Sequence, residues 1–563
     1  MSSAVLSPAR AGADRERLAA ERFDVLVVGG GIVGAGAALD AATRGLSVAI
    51  VEAQDWAAGT SSRSSKLIHG GLRYLQMRDF ALVREALRER AVLVRLAPHL
   101  VHPLPILFPL RDQRERAYVS AGVSLYDLLA RADRAARASA SSFPRHHQLG
   151  RRATQALAPG LSLEHLVGGI RFFDAQVDDA RYVLSVLRTA VAHGAVAVSR
   201  AAVTGLVAEE GRVVGASVRH LEDGTVTTAR AGVVVGAAGV WSTRLAALAG
   251  ADDVVALQPS KGVHLVVPRG ALELDSALIL PTDTSVLFVL PWGKAHWIVG
   301  TTDTPWSGTL ARPAASATDV AYVLATLNKV LTRPLVPADV EAVYVGLRPL
   351  LATGAAATTR LSREHAVVRA APGCVLVSGG KYTTYRVMAA DVIDAALREL
   401  GGPSRPSVTA EVSLVGSGAG SRSPGGQLGL SVEEQVRLVG RYGDEAAAVA
   451  ALAASDPALG APIGGYLGAE FVYGVTHEGA RHLDDVLERR TRLAIERPDR
   501  GAGVAGGVAA LIAPHLGWGR AAVEREVAAY RSSVAASVLG TQRRDDAGAA
   551  AALATAKPLL PLP

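Results

Sequence analysis

Sulfur and aromatic rings are scarce in this chain. Of its 563 residues one is cysteine, three are methionine and 5% are Phe, Trp or Tyr. With Cys374 alone, no intramolecular disulfide and no cysteine cage for zinc or an iron–sulfur cluster can form, which is consistent with a reducing compartment. The thiol begins an apolar run and reads as an inert core group. There are 14 histidines but no H-E-x-x-H and no Cys/His cluster, so no metal site is expected. Few aromatics leave little to stack on bases, so nucleic acid is not an expected partner. No run of about 18 apolar residues occurs, and no membrane-spanning helix is expected. Residues 1–22 carry Asp14, Glu16 and Glu21 without a continuous apolar stretch, so a secretory leader is not expected either.

What is present is enough apolar residue, 49%, for a large core, with 20% charged residues. Lys plus Arg total 59 and Asp plus Glu 52, a net charge of +7. That balance suits anionic partners: a phosphorylated substrate, nucleic acid or acidic lipid. The stretch 111–152 is rich in arginine (RDQRER, RADRAAR, RHHQLGRR) and offers a candidate surface for anionic lipid, against the plainer alternative of solvated helix faces. The length divides by composition. Residues 1–22 read as a flexible lead, and 23–400 alternate valine-rich strands, helices and glycine turns. Residues 401–428 (GGPSRP, GSGAGSRSPGGQ) read as linker, 429–540 as a helical domain and 541–563 as a disordered Ala/Pro tail. No internal repeat is evident.

The strongest motif lies near the start. FDVLVV (23–28) reads as a buried parallel strand, GGGIVGAGAALDAATRGL as a glycine turn and helix, and SVAIVE (47–52) as a second strand. Gly29, Gly31 and Gly34 fit G-x-G-x-x-G: one glycine for the tight turn, one for backbone approach to a pyrophosphate, one for close helix–strand packing. Phosphates then meet free N–H groups at a helix N-terminus. Glu52 closes the second strand, placed for ribose hydroxyls and against a 2′-phosphate. Farther on, 374–397 repeats the pattern of strand, Gly379–Gly380 and long helix, and 233–242 (VVVGAAGVWS) is another strand ending in small residues. A second helix N-terminus at the same cofactor suits a flavin, whose ring gains negative charge on reduction.

The run GTSSRSSKLIHGGLRYL (59–75) carries a resemblance. Together with FFDAQVDDARYV (172–183), KGVHLVVP (261–268), IVGTTDTPW (298–306), VYVGLRPLL (343–351), SGGKYTTYR (378–386) and EGARHLDDVLERRTRL (478–493), it resembles the FAD-dependent, respiratory-type glycerol-3-phosphate dehydrogenases over residues 23–530. The resemblance implies an α/β fold. It comprises a Rossmann-like FAD-binding domain interleaved with an antiparallel-sheet substrate domain, plus an α-helical C-terminal domain. It implies oxidation of sn-glycerol 3-phosphate to dihydroxyacetone phosphate by hydride transfer to FAD, with electrons passed to a membrane quinone. A cytoplasmic enzyme peripheral on the inner face of the cell membrane, and a homodimer, are also implied. An oxidase using oxygen, or a flavin-bound protein without activity, are the competing readings.

By the same resemblance the substrate pocket takes Arg73, Tyr74, His264, Arg348 and Lys381, with His264 the preferred base and Arg348 its catalytic companion. Arginine offers phosphate a planar fork and lysine a point charge. The cofactor takes Gly29, Gly31, Gly34, Glu52, Thr60, Ser61, Ser62, Ser64, Ser65, Lys66, His69, Gly70, Gly71, Gly239, Gly379, Gly380, Lys381 and Thr383. Gly236, Val240, Val345 and Tyr382 stand where many relatives have asparagine, proline, serine and leucine. None of the four replaces a charged pocket residue.

Overall fold

The structure is a computed structural model describing residues 4–562 except 77–78, 132–142, 163, 165, 253, 255, 283–284, 353–364 and 419–429. The side chains of Arg73 and Gln76 also fall outside the description.

Valine-rich segments form the first sheet because their branched side chains pack on both faces. Its order is His365–Ala371, Cys374–Gly379, Val226–Gly236, Arg22–Val28, Val48–Glu52, Val196–Ser199, and all but the first of these pairings are parallel. Helices Ile32–Thr43, Asp179–Ala192 and Tyr385–Leu400 pack together over one face, with Val25, Val27, Ile50, Val233 and Val375 in the shared core. This is the doubly wound arrangement, in which ligands bind beyond the carboxyl ends of the strands. Three strands end abreast there: Val28 beside Gly236, and Gly236 beside Leu376. Each runs on into a glycine turn.

The chain crosses repeatedly into a second, mainly antiparallel sheet of ten strands among the described residues. In its ladder of Leu257–Pro268 against Ala342–Leu351, His264 faces Tyr344, Gly262 faces Gly346 and Ser260 faces Arg348. Alternation along a strand sets these residues on one face. Beyond residue 430 the chain is helical, chiefly Val432–Tyr442, Gly468–Thr476, Ala505–Leu516 and Arg520–Gln542. The α/β fold with a helical C-terminal part is thus as the sequence implies.

Four expectations need correction. Residues 1–22 are not a loose lead. Ser7 caps a helix, Pro8–Ala20, that buries Leu18 and Asp14, and Asp14 accepts the Ala197 N–H at 3.2 Å. Only one large apolar side chain in that helix is buried, so its periodicity is faint. The tail is not disordered. Asp545 caps a helix, Asp546–Ala554, whose Ala549 packs with Trp306 and Leu347. Alanine forms helix well and fits where bulky groups do not. The expected linker is pinned over its described part: Val415 donates to Thr189 Oγ1 at 3.0 Å and accepts from Ser185. Residues 419–428 lie outside the described residues. Finally, the run 478–493, which reads as helix, is broken into a π-helical turn, Asp485–Arg490, and a short helix, Leu493–Glu496, with Arg489, Arg490 and Arg492 buried.

Candidate active site

The glycine turns enclose one end of a cavity of about 1240 Å³ that reaches the His264–Arg348 ladder. Gly29 has φ +113°, and a Cβ on Gly34 would stand 1.8 Å from the Gly29 carbonyl oxygen, so both positions demand glycine. Gly31 lines the cavity and caps the helix Ile32–Thr43 without a side-chain bond. The Ile32 N–H donates to Ser61 Oγ at 2.9 Å. Glu52 accepts the Gly30 N–H at 2.6 Å and the Gln54 N–H at 2.7 Å, which fixes its carboxylate at the cavity wall. Burial pushes this carboxyl above its ordinary range, against the pull of those two amides. On the far side Gly239, Gly379 and Gly380 line the same space with positive φ, and Lys381 and Thr383 follow them.

These features fit FAD. The volume exceeds that of sites for drug-sized ligands, about 300–1,000 Å³. A glycine-edged helix N-terminus is presented to a pyrophosphate, and an oriented carboxylate stands at the end of the second strand. Thr60, Ser61, Ser64, Ser65, His69 and Gly71 line the wall between the cofactor end and the ladder.

At the ladder, His264 is buried and its ring stacks on Tyr344, centroids 4.6 Å apart and planes 6° from parallel. Nε2 lies 2.8 Å from Ser65 Oγ, and Nδ1 has no hydrogen-bond partner. Burial, then the charges of Arg348 and Lys66, hold this imidazole well below its ordinary pKa, so it is neutral at pH 7. The Arg348 guanidinium crosses bare Gly262, where a Cβ would meet Nη2 at 2.7 Å. It donates to the Thr302 carbonyl at 3.2 Å and to Thr301 Oγ1 at 3.2 Å, and stands 3.5 Å from Asp303. Lys381 Nζ sits 3.5 Å from the centroid of the Tyr74 ring, and both residues line the cavity.

The structure therefore gathers Tyr74, His264, Arg348 and Lys381 around one space with the glycine turns. The Arg73 side chain lies outside the described residues. Three assignments are corrected. Lys66 is turned into the protein, donating to both Asp179 oxygens at 2.9 and 2.8 Å and to the Ser62 carbonyl at 2.6 Å. Burial lowers its pKa to about 8 against the Asp179 charge. Ser62 is buried behind the wall. Gly70 lies under Leu87 and Tyr126, donating its N–H to the Tyr126 hydroxyl at 2.8 Å. Gly34 packs below the turn, the role the motif gives its third glycine. Two hydroxyls on the wall are also committed elsewhere, Ser64 to Asp179 at 2.7 Å and Thr60 to the Leu347 carbonyl at 2.6 Å.

Sequence reasoning missed Tyr344 as the platform for His264, and Thr301, Thr302 and Asp303 as the seat of Arg348. The signal was available in part. Tyr344 precedes the glycine of VGLRP by two residues, so it shares the face of Arg348.

The fold and this site define an FAD-dependent oxidoreductase, and residues 24–388 match the family model described as FAD dependent oxidoreductase. Residues 407–523 match a second model, the C-terminal domain of alpha-glycerophosphate oxidase. Glycerol-3-phosphate dehydrogenase 2 of Mycobacterium tuberculosis is 49% identical over 558 residues, 97% of this chain and 94% of that one. The mitochondrial glycerol-3-phosphate dehydrogenase of Bos taurus is 35% identical, covering 90% of this chain and 72% of its own length. The glycerol-3-phosphate dehydrogenase of Bacillus halodurans, solved with FAD, superposes with a TM-score of 0.77 at 28% identity, covering 94% of this chain and 98% of that one. The chain belongs to the FAD-dependent glycerol-3-phosphate dehydrogenase family.

Proposed function

We propose that the chain oxidises sn-glycerol 3-phosphate to dihydroxyacetone phosphate and delivers the electrons to a quinone at the membrane surface. The observation that carries the first half is the meeting of a neutral, oriented His264 with Arg348 and Lys381 in the cavity that the dinucleotide turns open into. Bound FAD supplies the hydride acceptor for C2 of the substrate. Arg348 and Lys381 hold the phosphate and the developing negative charge on the C2 oxygen, with Tyr74 beside Lys381. Arg73 joins them by family resemblance. His264, neutral and held by the contact of its Nε2 with Ser65 Oγ, takes the hydroxyl proton. Stacking on Tyr344 keeps the ring from turning. Glu52 takes the ribose hydroxyls, and the N-terminus of helix Ile32–Thr43 takes the pyrophosphate.

For the second half, no helix among the described residues is long and apolar enough to cross a membrane. Helix Gln113–Arg131 buries only Val123 and Tyr126, and exposes Arg114, Tyr118 and Leu128 along one stripe. Cations with an exposed ring and a leucine suit anionic lipid at the cytoplasmic face.

Anaerobic glycerol 3-phosphate at millimolar concentration is expected to bleach the flavin band of the purified protein. Persistence of the oxidised spectrum would refute the activity. Reoxidation of the reduced protein then separates the acceptors. A quinone analogue is expected to restore the band much faster than dissolved oxygen, and the reverse order makes the protein an oxidase.

A further inference from the structure

Behind the Ser62–Arg63 wall lies a second cavity of about 280 Å³, between the antiparallel sheet, the C-terminal helices and the last residues of the chain. Its walls are crowded with cations. Most have partners: Arg200 has Asp485, Arg489 has Asp55, Arg492 has Asp178 and Asp179, and His482 has Glu222 and Glu526. Arg63, Arg312 and Arg500 differ. Among the described residues none of the three has a carboxylate at salt-bridge distance. Arg312 donates to the Ala556 carbonyl at 2.7 Å and to Ser533 at 3.0 Å, and Arg500 donates to Ser537 at 2.5 Å. Those are neutral acceptors. The four acids on the lining are engaged by other cations: Asp55, Asp484 and Glu488 by Arg489, and Glu526 by His482. Burial lowers the pKa of all three guanidiniums, the sign of charge held out of water without full compensation.

Three guanidiniums without a carboxylate partner around one cavity are the donor set that a phosphate group satisfies. Ser533, Ser537 and Thr541 add hydroxyls from one face of helix Arg520–Gln542, and residues 557–562 form the outer wall. Two residues tie this space to the substrate cavity. Arg63 lines both. Tyr344 lines the second while carrying the His264 ring in the first. We propose that this cavity is a second anion site, which takes a small phosphate compound between Arg63, Arg312 and Arg500 and modulates turnover through Arg63 and Tyr344.

The test uses the FAD-loaded protein and equilibrium dialysis with radiolabelled inorganic phosphate. The double variant Arg312→Gln/Arg500→Gln is expected to lose one bound equivalent, its affinity falling at least about tenfold, as loss of charge-assisted hydrogen bonds implies. Arg348→Gln is expected to keep that equivalent. Equal binding by wild type and the double variant would overturn the proposal. Should the double variant not fold, Glu488→Gln serves instead: removing the carboxylate whose charge acts on all three guanidiniums is expected to tighten the same equivalent, and unchanged or weaker binding overturns it. Competition by unlabelled glycerol 2-phosphate identifies the source. Displacement at lower concentration than unlabelled phosphate marks a phosphate monoester, and displacement at higher concentration marks the free ion. Coupling reads as a phosphate-dependent change in kcat, which competition in the substrate cavity does not produce. A kcat indifferent to phosphate would overturn that part.

Discussion

Where the C-terminal helices meet the FAD half, Arg490 grips both oxygens of Asp55 at 2.5 and 2.7 Å, Arg181 meets Glu478 at 2.6 Å and Arg492 meets Asp179 at 2.6 Å. In the substrate cavity, Arg348 rests on a carbonyl and a hydroxyl at 3.2 Å, with its aspartate at 3.5 Å. The residue type is the same and the surroundings differ. At the seam each guanidinium is saturated by protein carboxylate, so the charges there fasten one half of the chain to the other. In the cavity the donors are held in place by weaker, longer contacts, so a phosphate entering can compete for them. Arginine locked onto buried carboxylate is structural, and Arg348, on longer contacts at the cavity wall, is placed to meet a ligand.

Breaking the seam is expected to give the largest effect. Asp55→Asn leaves Arg489 and Arg490 buried with too little negative charge, and stranding a buried charge costs about 3–5 kcal/mol. Urea denaturation should show a loss of that order. A loss below about 1 kcal/mol would show that water reaches the seam and that the contrast is overdrawn. Arg348→Gln is the matching test in the cavity. There kcat/KM for glycerol 3-phosphate should fall about 10²–10³-fold, comparable to removing one preorganised oxyanion donor, with stability unchanged. A destabilised variant with normal kinetics would make Arg348 a seam residue after all.

The two regions also differ in how far the sequence disclosed them. Gly29, Gly34 and Glu52 were legible because each answers a local backbone demand: a positive φ, a close approach, the end of a strand. The antiparallel sheet and its VGLRP and KGVHLVVP strands were legible through the resemblance. The seam was not. Asp55 and Arg490 lie 435 residues apart, and nothing in either neighbourhood marks a buried ion pair. Lys66 misled for the same reason, since a lysine in a hydroxyl-rich loop looks exposed until Asp179 arrives from the fold. The tail misled because alanine packs without a visible pattern.

Two histidines carry the comparison into pH. Burial would pull His482 down, but hydrogen bonds to Glu222 and Glu526 hold it up at about 10. His264 is held well below its ordinary value by burial and by Arg348. The signs are opposite. The His482 contribution is complete below about pH 6.5, the unfolded value, and is lost as pH rises toward 10. The His264 contribution is present above about pH 6.5 and is lost as pH falls below it. One proton is worth at most about 1.4 kcal/mol per pH unit. Denaturation curves between pH 7 and 10 should therefore slope downward in the wild type and less so in His482→Gln. Parallel slopes would place no charge on His482.

The finest test of the cavity is Ser65→Ala. Ser65 is the hydrogen-bond partner of His264 Nε2, and Tyr344 holds the ring from its face. Loss of one such bond is worth about 0.5–1.5 kcal/mol. With His264 as the proposed base, Ser65 orients it without gripping phosphate, and that cost should fall on kcat, about three- to tenfold, while KM stays put. Ser65→Thr, which restores the hydroxyl, should recover most of the rate. The contrast with the seam is then sharp: removing a seam partner lowers stability, and removing this one alters only the step in which the proton leaves. Should Ser65→Ala instead raise KM and spare kcat, the histidine is a substrate anchor and the base lies elsewhere in the cavity.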